Sequence, residues 1–377
     1  MPYKTFLSYL SFSGIFLVLA IFTGLEFSSL PYDGTWGSDA HYYYTAASGQ
    51  GGAEHCSDYL GYGYVCTFTA FVAVVDLPIA FYALIGLLYI YVVFRCFRAP
   101  SDSSAMIWLL LVFNPIVLWT FLKGVKEGFV IVCLLVLVKI YGSVREDRTA
   151  LNVLLFAAAI LALSTVKFEA VAFVVLAAIA TEVVMRANNS IKMAITLVGS
   201  AIAVLFVLDQ LATFFPGLAF LQKLMAHKEL FFTEEISEPG AKVNYLLAIF
   251  RFLAGPGPIT PISSLFGDTG FYEPTVTGKI MIFLGSLFWL SAMSLAGLGF
   301  MRVLSTPRYR ISMSAVVNNE VVFGALMAMF YILTYAFMYG GMVDTRHRAV
   351  VYVLLFPLLV PLASLGAGYI FPRLNNR

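Results

Sequence analysis

Apolar stretches of about 17 residues or more follow one another along this chain, set apart by short polar segments. Each is long enough to cross a hydrocarbon core of roughly 30 Å. Roughly ten spans fit the pattern: 5–25, 77–94, 104–122, 127–142, 150–166, 168–185, 191–213, 278–299, 320–339 and 348–370. The segment 62–75 is also apolar, but Asp76-Leu77-Pro78 interrupts it, so the pattern predicts an interfacial or re-entrant piece leading into the second span. A tight polar turn, Val166-Lys167-Phe168-Glu169, joins the fifth and sixth spans. The expected fold is an all-α polytopic membrane protein, one integral membrane domain over 1–377, with short interfacial helices in its outer loops.

Composition agrees with that pattern. Of 377 residues, 60% are hydrophobic and only 12% charged, and the mean hydropathy is +0.88. A soluble domain carries about twice that share of charge. The apolar run from Thr5 to Leu25 has one preceding Lys and no small-residue cleavage site before Glu26, which reads as a retained first span. Four cysteines exclude a disulfide scaffold. Cys56 and Cys66 fall on the expected outer side, where they could pair or remain two unrelated thiols.

Loop charges set the orientation. With the N-terminus inside, the inner segments hold Lys4, Arg95, Arg98, Lys139, Arg145, Arg148, Arg186, Lys192, Arg302, Arg308, Arg310, Arg373 and Arg377. Both termini are then expected in the cytoplasm. The exceptions to that bias carry the chemical interest. Short outer loops retain Lys123, Lys126, Lys167, Arg346 and Arg348, and the long outer segment 214–277 adds Arg251 among others. Within that segment, 218–230 could be an amphipathic helix on the membrane, and Gly255 to Pro261 is too rich in Gly and Pro for regular helix.

The outer loop 26–76 contains Thr35-Trp36-Gly37-Ser38-Asp39-Ala40-His41-Tyr42-Tyr43-Tyr44, a carboxylate among aromatics. Asp39 reads either as the N-cap of a short helix or as a general base taking a proton from an acceptor hydroxyl. His41 could share proton transfer or bind phosphate, or be an ordinary surface histidine. Lys123, Lys126 and Glu127 stand where the fourth span begins. Lys123 and Glu127 could pair along one helical face, or the lysines could hold an anion at a helix N-terminus. Asp344-Thr345-Arg346-His347-Arg348 opens the last span, and two guanidiniums there oppose both the helix dipole and the orientation bias. Lys167 and Glu169 read as a turn ion pair or as cavity lining, and Arg251 is similarly open. The four His are scattered, with no metal motif and no nucleotide-binding fingerprint. No cofactor is expected, and a divalent metal has no sequence support. A sugar from a cytoplasmic nucleotide is disfavoured, and a lipid-carried donor favoured.

The order of these features resembles the glycosyltransferase C superfamily, integral membrane enzymes that use polyprenyl-phosphate sugars. The features are a carboxylate after the first span, a Lys/Glu pair before a span, and Asp344-x-Arg346-x-Arg348 followed by apolar residues and Pro357. The resemblance implies that Asp39 is the base and that Arg346 and Arg348, with Lys123 and Lys126, hold the donor phosphate. It also implies an inverting transfer on the outer face of the plasma membrane, onto a glycan or glycolipid acceptor. The partners would be the bilayer and these lipid-linked substrates rather than nucleic acid. The chain departs from the family in having Ala40 after Asp39, where many members have a second acid. An O-antigen or capsule polymerase using polyprenyl-diphosphate-linked repeats shares the length and the large outer loop. A lipid-linked glycan flippase would instead place ionisable residues near span centres.

Overall fold

The computed structural model describes residues 3–29, 59–75, 78–97, 102–147, 149–186, 199, 245–255, 257–267, 273, 275–306, 318–339 and 345–370. The described elements are all helices: α1 (Tyr3–Ser29), α2 (Tyr59–Val75), α3 (Pro78–Cys96), α4 (Asp102–Val112), α5 (Pro115–Leu122), α6 (Glu127–Glu146), α7 (Ala150–Val166), α8 (Phe168–Arg186), α9 (Tyr245–Ala254), α10 (Ile259–Ser263), α11 (Val276–Ser305), α12 (Asn319–Tyr339) and α13 (Thr345–Ile370). Among these residues six helices (α1, α3, α6, α11, α12 and α13) are long and apolar enough to cross a membrane, so the chain is an α-helical membrane protein. The expected span 191–213 and helix 218–230 lie outside the described residues.

The core sits around α6, α12 and α13, the most deeply buried of the six, while α1 lies at the edge. Close approach of α11 and α13 depends on two glycines. A Cβ on Gly299 would overlap the Leu362 carbonyl, and one on Gly366 would overlap the Leu295 carbonyl. Small residues let helices meet backbone to backbone where lipid supplies no hydrophobic drive for association.

The expected span 104–122 is not one helix. Pro115 has no N–H to give and disfavours helix at the residue before it, so α4 stops at Val112 and α5 starts afresh. Asn114, fully buried, holds the break: its Oδ1 accepts from Ile116 N at 2.9 Å, and its Nδ2 donates to the Gly285 carbonyl of α11 at 2.9 Å. That diversion removes the helical partner of the Val112 carbonyl, which accepts instead from the Tyr89 hydroxyl. Asn114→Ala removes the amide bond to α11, leaving the Gly285 carbonyl with its helical partner alone, and uncaps α5. The expected cost is about 2 kcal/mol, read as a lower thermal midpoint of the detergent-solubilised protein; an unchanged midpoint would mean the break is held elsewhere.

Polar contacts gather at the two ends of the bundle. At one end Glu26, from the last turn of α1, accepts from Val276 N (2.7 Å) and Thr277 N (3.3 Å), so the end of α1 is level with the start of α11. At the other end Lys139 pairs with Glu320 at 2.7 Å, and Glu182 pairs with Arg145 and Arg186. Among the described residues, the aromatic contacts of α2 are made at the first of these ends. Tyr64, Phe68 and Phe71 touch Phe81 or Tyr82 in the first turn of α3, and the Tyr64 hydroxyl donates to the Gly124 carbonyl at 3.0 Å. Cys66 is disulfide-bonded, whereas Cys96 and Cys133 are free thiols; Cys56 lies outside the described residues. A disulfide suits an oxidising compartment, and this one lies on the Glu26 side of the bundle.

Candidate functional site

Four elements converge at the Glu26 end. Gly124, at φ +72°, turns the chain between α5 and α6 and faces the Tyr82 ring, which leaves no room for a Cβ. The turn delivers Glu127 to the first position of α6, where a carboxylate complements the helix dipole. On the neighbouring hairpin, Lys167 leaves helical geometry to cap α7 (φ −153°, ψ 83°), and α8 begins at the next residue. This corner drives the lysine inward. Its Nζ donates to Glu127 Oε1 at 3.2 Å, with the two side chains only 2% and 1% exposed. The pairs Lys123–Glu127 and Lys167–Glu169 suggested by sequence proximity are replaced by this one, across 40 positions.

Lys167 Nζ also donates to the Tyr331 hydroxyl of α12 at 3.1 Å and lies 4.9 Å from the centre of the Tyr335 ring. An ammonium has only protons to give, so the Tyr331 oxygen accepts. The same hydroxyl is hydrogen-bonded to His347 Nδ1 of α13 at 3.2 Å, either atom serving as donor according to the imidazole tautomer. Tyr335 stacks on both Tyr331 and His347, with ring centres 4.4 and 4.2 Å apart. Burial alone would lower the Lys167 pKa, but the oxygens of Tyr331 and Tyr335 and the carboxylates of Glu127 and Glu169 outweigh it. Lys167 therefore sits well above the ordinary lysine value and stays charged at neutral pH. Glu127 Oε2 is buried with no hydrogen-bond partner, so the network retains one acceptor for a donor.

Around this core the structure places the basic residues singled out in the sequence. Lys126, at the N-cap of α6, and Arg346, in the first turn of α13, lie within electrostatic reach of both Glu127 and His347. Arg348 is buried and donates to the Arg251 carbonyl at 3.3 Å, while the Arg251 side chain itself is exposed. Lys123 belongs to a second cluster. Glu273, itself buried, accepts from Lys123 Nζ at 3.1 Å, Trp119 Nε1 at 3.2 Å and the Thr275 hydroxyl at 2.9 Å. Asp39 and His41, like Asp344, lie outside the described residues.

The structure thus brings together Lys126, Glu127, Lys167 and Arg346 and adds Tyr331, Tyr335 and His347, which sequence reasoning passed over. The available signal was a pair of phenols four residues apart, on one helical face of an apolar span. Among the described residues no group of three or more His, Cys, Asp or Glu is placed to hold a metal ion. Chemically, two helix N-termini and several cations at one end of the bundle suit an anion, and the adjacent carboxylate suits a hydroxyl donor. Comparison with protein-family models, with curated proteins and with solved structures gives no match.

Proposed function

We propose that this protein is a membrane glycosyltransferase that moves a sugar from a polyprenyl-phosphate donor to a glycan or glycolipid acceptor on the outer face of the membrane. The observation that carries the reading is the gathering of Lys126, Arg346 and Lys167 at the N-termini of α6 and α13, at one end of an apolar bundle. A helix N-terminus with basic side chains favours a phosphate, and that end is level with the boundary of the apolar layer, where a lipid phosphate resides. Arg348 and Lys123 would complete the phosphate-binding shell, with Arg251 at its rim. Stabilising the charge that grows on the leaving phosphate is the largest service such a shell can perform. In this reading Asp39 deprotonates the acceptor hydroxyl, the hydroxyl oxygen attacks the anomeric carbon, and the bond to the phosphate oxygen breaks with inversion. His41 and the nearby aromatics would contact the acceptor.

The test is the surface-glycan profile of a strain lacking the gene, rescued with wild-type or Asp39→Asn protein. Asn caps a helix about as well as Asp, so the substitution removes the base and spares a cap. The expected result is loss of one sugar from otherwise full-length glycan while the variant protein is present in the membrane. Full rescue by Asn would remove Asp39 from the mechanism. Glycan stopped at a single repeat would replace the transferase with a polymerase that uses polyprenyl-diphosphate-linked repeats.

A further inference from the structure

The depth of α9 and α10 can be read from α11. Glu26 ends the apolar run of α1 and caps α11 at Val276, which places one boundary of the hydrocarbon layer near the start of α11. Positions 280–301 carry no charge between Lys279 and Arg302, about 33 Å of helix at 1.5 Å per residue, which is the thickness of that layer. Trp289 therefore lies near the middle of the bilayer. Its Nε1 donates to the Leu253 carbonyl at 2.8 Å, so the last turn of α9 lies near the middle too. Eleven positions later, Ser264 offers its carbonyl to Lys279 Nζ at 3.0 Å, back at the boundary. Lys279 and Trp289 are about 15 Å apart along α11.

We infer that α9 and α10 form a re-entrant hairpin that dips to the middle of the bilayer and returns to the same side, with its outer face against lipid hydrocarbon. Irregular backbone survives at that depth only where its polar groups find partners. The final carbonyls of α9 are the groups at risk. Leu253 is satisfied by Trp289, and Arg251 by Arg348 and by Gly255 N at 3.0 Å. The inner face is covered by protein: α9 packs on α12 and α10 on α11, and Ala248 and Phe252 of α9 are buried. The outer face is apolar and open, with Leu247, Phe250 and Ile259 exposed at 42%, 65% and 77%. Hydrocarbon is the occupant that this depth and this composition fit. Arg251 stands at the edge of that face, and its long stem lets the guanidinium reach back toward the headgroups. The hairpin thereby braces Arg348 from below, whatever chemistry the site performs, so this inference stands independently of the transferase reading.

Collision accessibility of nitroxide labels tests it directly. Gly257 and Gly267 are both exposed, and a Cβ on either meets nothing within 4 Å, so Gly257→Cys and Gly267→Cys should be tolerated. In a background with Cys96 and Cys133 replaced by Ala, each variant is labelled and reconstituted into phosphatidylcholine–phosphatidylglycerol vesicles. The ratio of oxygen to nickel-complex collisions is expected to be several-fold higher at Gly257 than at Gly267. Equal ratios at the two positions would overturn the hairpin. Phe250→Cys provides the second reading. An oxygen-favoured label there supports the lipid-facing surface, and a nickel-favoured one means that α9 faces water and the inference fails.

Discussion

Lys167→Met is expected to lower stability by about 3–5 kcal/mol, the cost of leaving one member of a buried ion pair without its partner. The substitution leaves the Glu127 carboxylate 1% exposed and stripped of its Oε1 donor, next to an Oε2 that already has none. It also removes the ammonium donor from the Tyr331 hydroxyl that links Lys167 to His347. A thermal melt of the detergent-solubilised protein reads the loss. The pair itself is distinguished from general damage by the double variant Lys167→Met/Glu127→Gln. With the charge removed from both sides, much of the stability should return, because the penalty lies in the uncompensated charge rather than in the absent attraction. Additive losses in the double variant would mean that the two residues act separately.

Gly299→Leu is the other large effect, and its origin is different. No side-chain rotamer relieves the overlap, because the atom in the way is the Leu362 carbonyl, part of the α13 backbone. Either α11 and α13 separate or the variant fails to accumulate. Overpacking commonly costs about 1–3 kcal/mol, and an obstacle made of backbone belongs at the top of that range. The same substitution at Gly297, where a Cβ meets nothing within 4 Å, is the matched control and should leave the melt unchanged. A Gly299→Leu protein as stable as wild type would remove the backbone contact between these helices from the account of the fold.

Much of the bundle was legible in the chain because hydropathy is a local property. The helices α1, α3, α6, α7, α8, α12 and α13 begin and end within a few residues of the apolar stretches that predict them. Likewise α2 ends at Val75 and α3 begins at Pro78, the proline at which the sequence predicts an interruption. The break between α4 and α5 was written at Asn114-Pro115, yet a sum of hydropathies is blind to a missing N–H, and the stretch reads as one span. The Gly/Pro run after Arg251 was recognised as irregular. It still admits α10, since a proline within the first turn of a helix gives up a hydrogen bond the turn would not make.

The candidate site divides in the same way. That Lys123, Lys126, Lys167, Arg346 and Arg348 sit at span ends, against the orientation bias, follows from sequence alone, because charge and span position are both read along the chain. Which of them share a site does not. Lys167 could choose Glu169 two residues away, yet it pairs with Glu127; Lys123 could choose Glu127, yet it pairs with Glu273, 150 positions on. Local propensity favours near partners, but exposed pairs between neighbours are worth little, whereas a charge enclosed by packed helices must find a counter-charge wherever the fold supplies one. The amino-acid order by itself determined a helical membrane protein with its unusual charges at one end. Only the packing of α6, α12 and α13 with the corner between α7 and α8 decided the partners, since burial makes a distant carboxylate worth more than a close one left in water.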